Sequence, residues 1–509
     1  MKQIIRGYCS FIFTICFAVS LWAQPRQPKL NHPLLQSLGS TVNTLQYSEF
    51  APTISADGNT LIFESDRSGR WRLYSSQQLR PGVWSEPKDL EAINNKVEPG
   101  DFLGGPCLSY DGTKLYFTSN MKGSVGGVDI WVSEKINDQW QSPKNLGRTI
   151  NSAGYDGFPS LSPDGKKLYF MREGTKNSPT GQRCCVLMEA EKRGNFFINP
   201  KALPAPVNTG CEGYPRIMAD GKTLIFSSAR NGGKGGYDLY QSKFKAGKWE
   251  TPVPMDFINS AMDDELISVP ASGDVIYLSN TMSNGRDDIY RLPLPKEFQP
   301  DKVVMVEGVV QNEATGDPMA ATIKVSNIKT KEKLYEVVND STTGKYALYL
   351  EKGKKYDVSV TSKGYSFQSE VYDLQTTLPD KQPIVKDIVL EPLKLNASFR
   401  LNNIFFEFDS SSLNKESELE LYRVVELMNS NPGMVVEISA HTDDVGSDAY
   451  NLKLSQLRAE SVVKFLSTHG INYVRLIPKG YGETTPAVPN DTDANRQLNR
   501  RVEFKIIRL

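Results

Sequence analysis

Histidine is nearly missing from this sequence: His32, His441 and His469 are the only three in 509 residues. A histidine-ligated metal centre is therefore not expected, and no cofactor is assigned. Cysteine is scarce as well. Beyond Cys9 and Cys16 in the N-terminal apolar run, only Cys107, Cys184, Cys185 and Cys211 remain. Their spacing fits no metal site, and in an exported chain they supply at most one disulfide. Net charge is absent, with 59 Lys and Arg against 59 Asp and Glu, so nothing points to nucleic acid or an anionic membrane surface. After the N-terminal run no stretch of about twenty apolar residues follows, which excludes a transmembrane helix from the expected mature chain. Neither a Gly-x-Ser-x-Gly elbow nor a His-Glu-x-x-His pair occurs. No catalytic residue is assigned, and the chain is not read as an enzyme.

What is present begins with a secretory signature over residues 1–23: Lys2 and Arg6, an apolar run from Tyr8 to Leu21, and Ala23 before the expected cut. A chain of this length exceeds one hydrophobic core and implies roughly three domains. Residues 24–298 hold an internal repeat. Its unit is Ser55-Ala-Asp57-Gly58-Asn-Thr-Leu61-Ile-Phe63, which returns around Gly112, Gly165, Gly221 and, more loosely, Gly273. Asp-Gly between alternating apolar runs marks a hairpin. Each unit adds a third strand (Trp71-Arg-Leu73-Tyr74, Asp129-Ile-Trp131, Asp238-Leu-Tyr240) and a fourth (Trp84-x-x-Pro87, Trp140-x-x-Pro143, Trp249-x-x-Pro252). Four short strands per unit of about fifty residues is the arithmetic of a β-propeller blade, and five units predict five blades. The fifth lacks its Trp-x-x-Pro strand. Leu38-Gly39-Ser-Thr41-Val42-Asn43-Thr44 mirrors Leu146-Gly147-Arg-Thr149-Ile150-Asn151-Ser152, so residues 38–44 are expected to complete the last blade. The Ser and Asp residues of the turns read as backbone stabilisers.

Residues 302–392 change character. Ala321-Thr-Ile323-Lys-Val325, Tyr346-Ala-Leu348-Tyr-Leu350 and Tyr356-Asp-Val358-Ser-Val360 alternate with period two, and Gly344, Gly353 and Gly364 mark turns. This predicts a small antiparallel β-sandwich.

The C-terminal region, 398–509, carries the densest chemistry. Val436, Ile438, Ala440 and Thr442 alternate as a half-buried strand, which stops at Asp443-Asp-Val-Gly446. A helix is expected next, with Leu452, Ser455, Ala459, Val462 and Leu466 as its apolar stripe and Gly470 as its end. Asn451 and Arg458 are seven apart and share a face, and Asp443 sits at the strand's exit. A carboxylate, an amide and a guanidinium on one rim suit a ligand that carries an ammonium and a carboxylate together.

These residues carry a resemblance. The runs His441-Thr442-Asp443, Ser455-Gln-Leu-Arg458-Ala459, Gly480-Tyr481-Gly482 and Asn499-Arg500-Arg501-Val502-Glu503 resemble the OmpA C-terminal peptidoglycan-binding domain. The resemblance implies that Asp443 binds the ammonium of diaminopimelate in the stem peptide and Arg458 its carboxylate, with Asn451 and Arg500 in support. The repeats resemble the TolB-type, WD40-like propeller repeat, and residues 302–392 resemble the carboxypeptidase regulatory-like domain. The fold class expected is thus multidomain and mainly β: a five-bladed propeller, a sandwich and an α/β OmpA-like domain. This order of domains resembles Bacteroidetes envelope proteins, among them PorE-like components of type IX secretion and gliding machinery. It implies a periplasmic, wall-anchored adaptor whose propeller holds an outer-membrane β-barrel protein. The alternative is an envelope enzyme or a glycan- or peptide-binding protein with the propeller as its substrate site.

Overall fold

The structure, a computed structural model, describes residues 32–177, 183–281, 285–375, 383–407 and 410–509. The expected signal segment, 1–23, lies outside them. The chain divides into two compact units. One comprises residues up to Val306 with Ala347–Lys352 and Pro379–Ile384; the other holds Glu307–Tyr346, Gly353–Leu378 and Val385–Leu509.

The first unit contains five antiparallel sheets, one for each repeat. The first sheet runs Glu49–Ile54, Thr60–Ser65, Arg72–Arg80 and Val83–Trp84, with Lys88–Asp89 also on the third strand. The fourth strand is thus split in two in this sheet, because Pro87 interrupts the ladder where no N–H can be offered. The Asp-Gly turns form as expected. Ser55 Oγ donates to Asp57 Oδ1 and accepts from Thr60 N at 2.8 Å, closing the hairpin with side chains.

The closing strand falls elsewhere than expected. Gln36–Ser37, and not residues 38–44, pairs with Asp287–Pro293 in the fifth sheet. Gly39 at φ +86° turns the chain immediately afterwards, so the mirrored segments are turns that follow the strand. Those turns still dock. Asn43 donates to Ile289 O and accepts from Ile289 N, both at 2.8 Å. Asn94 grips Leu73, Asn151 Ile130, Asn208 Leu187 and Asn259 Leu239 in the same two-bond way.

Hydrogen bonds also tie each sheet to the next. Leu108 N donates to Thr53 Oγ1, Phe158 N to Thr118 Oγ1, Ile217 N to Ser160 Oγ, Arg216 Nε to Ile267 O, and Ile54 N to Ser268 Oγ. The last of these runs from the fifth sheet back to the first. Thr53, Cys107, Ser160, Arg216 and Ser268, one from each sheet, line a common cavity. Cys184 and Cys211 form a disulfide, while Cys107 and Cys185 are free and buried.

The middle region forms two four-stranded sheets. Thr322–Asn327 lies between Lys333–Val338 and Lys355–Thr361, with Phe367–Asp373 beyond, all antiparallel. In the other sheet Ile388–Leu390 pairs parallel to Val303–Asn312, so this region is not purely antiparallel. The alternation expected at Ile323 and Val325 and at Tyr356, Val358 and Val360 places those side chains inside.

The C-terminal region consists of β1 (Ser398–Leu401), α1 (Glu418–Ser430), β2 (Val435–His441), α2 (Asp448–Thr468), β3 (Leu476–Gly482), α3 (Asp493–Asn499) and β4 (Val502–Arg508). Its sheet order is β1-β4-β2-β3, with β2 and β3 parallel. Val436, Ile438 and Ala440 of β2 and Phe504 and Ile506 of β4 are fully buried against α1 and α2. Phe367 of the middle region joins this core. Beside it Arg423 of α1 is buried between Asp357 and Glu420, and Glu420 also accepts from Ser369 Oγ and Asn402 N. A guanidinium buried between two carboxylates holds α1 on the middle sheet, since breaking such a set leaves an unpaired charge inside.

Candidate functional site

The site grows from the end of β2. Ser455 and Ala459 let α2 lie close on the sheet, as their size predicts, and two glycines of β3 complete the fit. A Cβ on Gly480 would fall 2.2 Å from Gln456 N, and one on Gly482 3.0 Å from Leu452 N. Gly482 N donates to Ser455 Oγ at 2.9 Å, fixing helix and strand together. The stripe of α2 is led by Asn451, which is buried, and not by Leu452, which is 51% exposed. Burial of an amide is tolerable here because both of its Nδ2 bonds are used, to Asp443 O at 3.2 Å and to Glu483 Oε2.

That result divides the four residues expected at the site. Asn451 braces the backbone of Asp443 and faces inward. The Asp443 carboxylate is largely buried: Oδ1 accepts from Val445 N at 3.3 Å, and Oδ2 pairs with Arg500 Nη1. Arg500 in turn donates to Gln497 Oε1, and its side chain is 40% exposed. Arg458 is placed on the β1–α1 connection. Its Nε donates to Ser410 O at 3.1 Å, and its guanidinium carbon lies 4.9 Å from the Phe406 ring centroid. The structure thus joins Asp443, Arg500 and Asn451 in one group and holds Arg458 through Phe406 and Ser410.

Residues missed by sequence reasoning surround this group. His441 stacks on Tyr481 with ring centroids 5.1 Å apart, and its Nδ1 shares a hydrogen bond with Thr485 Oγ1. Burial, aided by the Arg501 guanidinium, pulls its pKa down to about 4, so the ring is neutral at pH 7. Glu483 directly follows the Gly480-Tyr481-Gly482 run, and that adjacency was its only signal. Among the described residues no group of three or more His, Cys, Asp or Glu side chains is arranged to hold a metal. No helix among them is long and apolar enough to cross a membrane.

Comparison with known proteins matches residues 405–500 to the OmpA family. The chain is 46% identical over 110 residues to photosystem I P700 chlorophyll a apoprotein A2 of Gloeobacter violaceus, covering 20% of this chain and 13% of that one. It is 33% identical over 129 residues to outer membrane protein A of Bordetella avium, covering 25% of this chain and 66% of that one. It therefore spans less than two thirds of the length of either relative. Among solved structures, the peptidoglycan-associated lipoprotein of Burkholderia pseudomallei is 29% identical, with 20% of this chain and 87% of that chain covered and a TM-score of 0.20. TolB from Acinetobacter baumannii is 17% identical over 48% of this chain and 54% of its own, with a TM-score of 0.32. Residues 405–500 form an OmpA-family domain at the C-terminal end of this chain.

Proposed function

We propose that this chain is a non-catalytic periplasmic adaptor of the cell envelope. In this reading residues 1–23 direct export, and 24–298 form a five-bladed propeller closed by the segment that carries Asn43. Residues 302–392 are a regulatory-like sandwich, and 398–509 bind the diaminopimelate of peptidoglycan. The propeller holds an outer-membrane β-barrel protein, as in secretion or gliding machinery. The observation that carries this reading is Asp443, whose backbone carbonyl is braced by Asn451 while its carboxylate meets the Val445 N–H and a half-exposed arginine. Arg500 is 40% exposed, so water already reaches its side of the pair, and in this reading an incoming ammonium takes its place beside the Asp443 carboxylate. Arg458 then takes the carboxylate of the same ligand, and Arg500 remains as a supporting contact. Each wall contact is weak, but a polymer offers many copies, and retention follows from effective concentration.

The test is fractionation of native envelopes before and after peptidoglycan digestion. Protein that stays with outer membranes through its first unit after digestion agrees with the adaptor. Complete release into the soluble fraction contradicts it.

A further inference from the structure

Thr53, Cys107, Ser160, Arg216 and Ser268 each stand five residues before the turn glycine of their own repeat, and all five line one cavity. Four of these side chains are short and buried, while the fifth is a half-buried arginine. Three of the short ones carry a hydroxyl with the same duty. Thr53 Oγ1 accepts from Leu108 N at 3.2 Å, Ser160 Oγ from Ile217 N at 3.0 Å and Ser268 Oγ from Ile54 N at 3.0 Å. Each hydroxyl thereby spends a lone pair on the next sheet. Each keeps its own O–H, for which no acceptor stands among the described residues.

Arg216 breaks the pattern. Its Nε donates to Ile267 O at 3.0 Å, its Nη1 to Pro159 O at 3.4 Å and its Nη2 to Pro106 O at 2.9 Å, one carbonyl from each of three other sheets. A guanidinium has five N–H groups, so two remain, one on each Nη. Carbonyls satisfy hydrogen bonds but supply no counter-charge. The half-buried arginines Arg67, Arg172 and Arg230 of the same unit each meet a buried acid, Glu49, Asp156 and Glu212. Arg216 pairs with no acid among the described residues, and none of the side chains that line the cavity is acidic. Asp220, in the turn of the same repeat, is already engaged. Its Oδ1 accepts from Lys222 N at 2.9 Å and Thr223 N at 2.8 Å, and its Oδ2 from Thr223 Oγ1 at 2.6 Å and Asp301 N at 3.1 Å.

The cavity thus gathers one positive charge, two N–H groups and three O–H groups from four sheets. Water could meet the donors but not the charge, and a charge drawn out of bulk solvent without a partner is costly. The free volume is about 30 Å³, room for two water-sized atoms at about 10–15 Å³ each. That admits a halide or the two oxygens of a carboxylate and excludes sulfate. We propose that the cavity holds one small monovalent anion, a halide or a formate-sized carboxylate, bound by Arg216 and the hydroxyls of Thr53, Ser160 and Ser268. The anion supplies what Glu49, Asp156 and Glu212 supply elsewhere, and it ties four sheets together at one point. It binds the folded unit only, so it stabilises that unit by mass action.

The test has a crystal arm and a solution arm, both on the full chain. Crystals grown without halide and soaked in sodium bromide should show an anomalous peak beside Arg216 Nη1 and Nη2. Formate added at equal concentration distinguishes the carriers: loss of the peak names the carboxylate, and its persistence names the halide. In solution, chloride or formate replaces gluconate, which is too large for the cavity, at constant ionic strength. The urea midpoint of tryptophan fluorescence should then rise with each tenfold step in concentration. Arg216→Gln should abolish the rise, and Ser268→Ala, which keeps the guanidinium, should reduce it. A bromide soak that leaves the cavity empty or holding water alone overturns the site. A bromide peak with no effect in solution is binding at crystal concentration only and overturns it too. So does an undiminished rise in Arg216→Gln or, where that variant does not fold, in Ser268→Ala.

Discussion

Two kinds of acid–arginine pair divide this molecule. In the first unit Glu212 is wholly buried, and Arg230 bonds not only to it but also to Ser228 Oγ and Val207 O, with its guanidinium carbon 5.2 and 4.8 Å from the rings of Phe226 and Tyr240. In the C-terminal domain Arg500 is 40% exposed and, among the described residues, its side chain bonds to Gln497 besides Asp443. The first arginine is locked by its surroundings, and the second is held by its partner. The same two functional groups are enclosed on both sides in one unit, while in the other the arginine reaches solvent.

Removing each arginine tests this contrast most strongly. Arg230→Ala leaves Glu212 unpaired inside and should cost about 3–5 kcal/mol. Arg500→Ala should cost less than that, because Arg500 is 40% exposed and the Val445 N–H remains on Asp443. Urea unfolding separates the units, because all six tryptophans lie before residue 250 and their fluorescence reports only the first. Comparable losses in the two variants would erase the distinction.

Acid and base should also act on the units with opposite sign. Glu64, buried in the first sheet, has a folded pKa of about 8 against an ordinary 4.5, so its contribution is complete below pH 4.5 and is lost as pH rises toward 8. His441 has a folded pKa of about 4 against 6.5, so its contribution is complete above pH 6.5 and is lost as pH falls toward 4. The swings are on the order of 3–5 kcal/mol, at about 1.4 kcal/mol per pH unit. Glu64→Gln should flatten the tryptophan-detected stability of the first unit between pH 5 and 8. His441→Gln should flatten that of the second, followed by far-UV signal of its helices, between pH 4 and 6.5. Unchanged slopes would mean that other groups dominate.

A smaller effect sharpens the contrast inside the first unit. Asn43→Ala and Asn151→Ala remove the same two bonds, one set at the chain's start and one in its interior. If the N-terminal segment closes a ring, both should destabilise by a similar amount, about 1–3 kcal/mol. A negligible loss for Asn43→Ala alone would reduce that segment to a fraying end.

Much of this was readable in advance, for identifiable reasons. The Asp-Gly turns specify hairpins locally, and Ser455, Ala459, Gly480 and Gly482 reveal close packing by their size. The stripe of α2 was misphased at one end because Asn451 and Leu452 both fit, being four and three residues before Ser455. Periodicity cannot choose between them; only the partners that satisfy the Asn451 amide do. The clamp asparagines stood in the mirrored segments, but their role depends on a strand distant in sequence. Nothing local to Arg423 announces its burial, which depends on Asp357, 66 residues away.

Whether Asp443 and Arg458 together hold a wall peptide is decided by co-sedimentation of the full chain with purified peptidoglycan. Charge-assisted bonds contribute about 1.5–3 kcal/mol each, so Asp443→Ala and Arg458→Ala should each weaken retention at least about tenfold. Arg458→Lys should recover only part, because the two-pronged fork is gone. Retention of the double variant at the wild-type level would contradict the account.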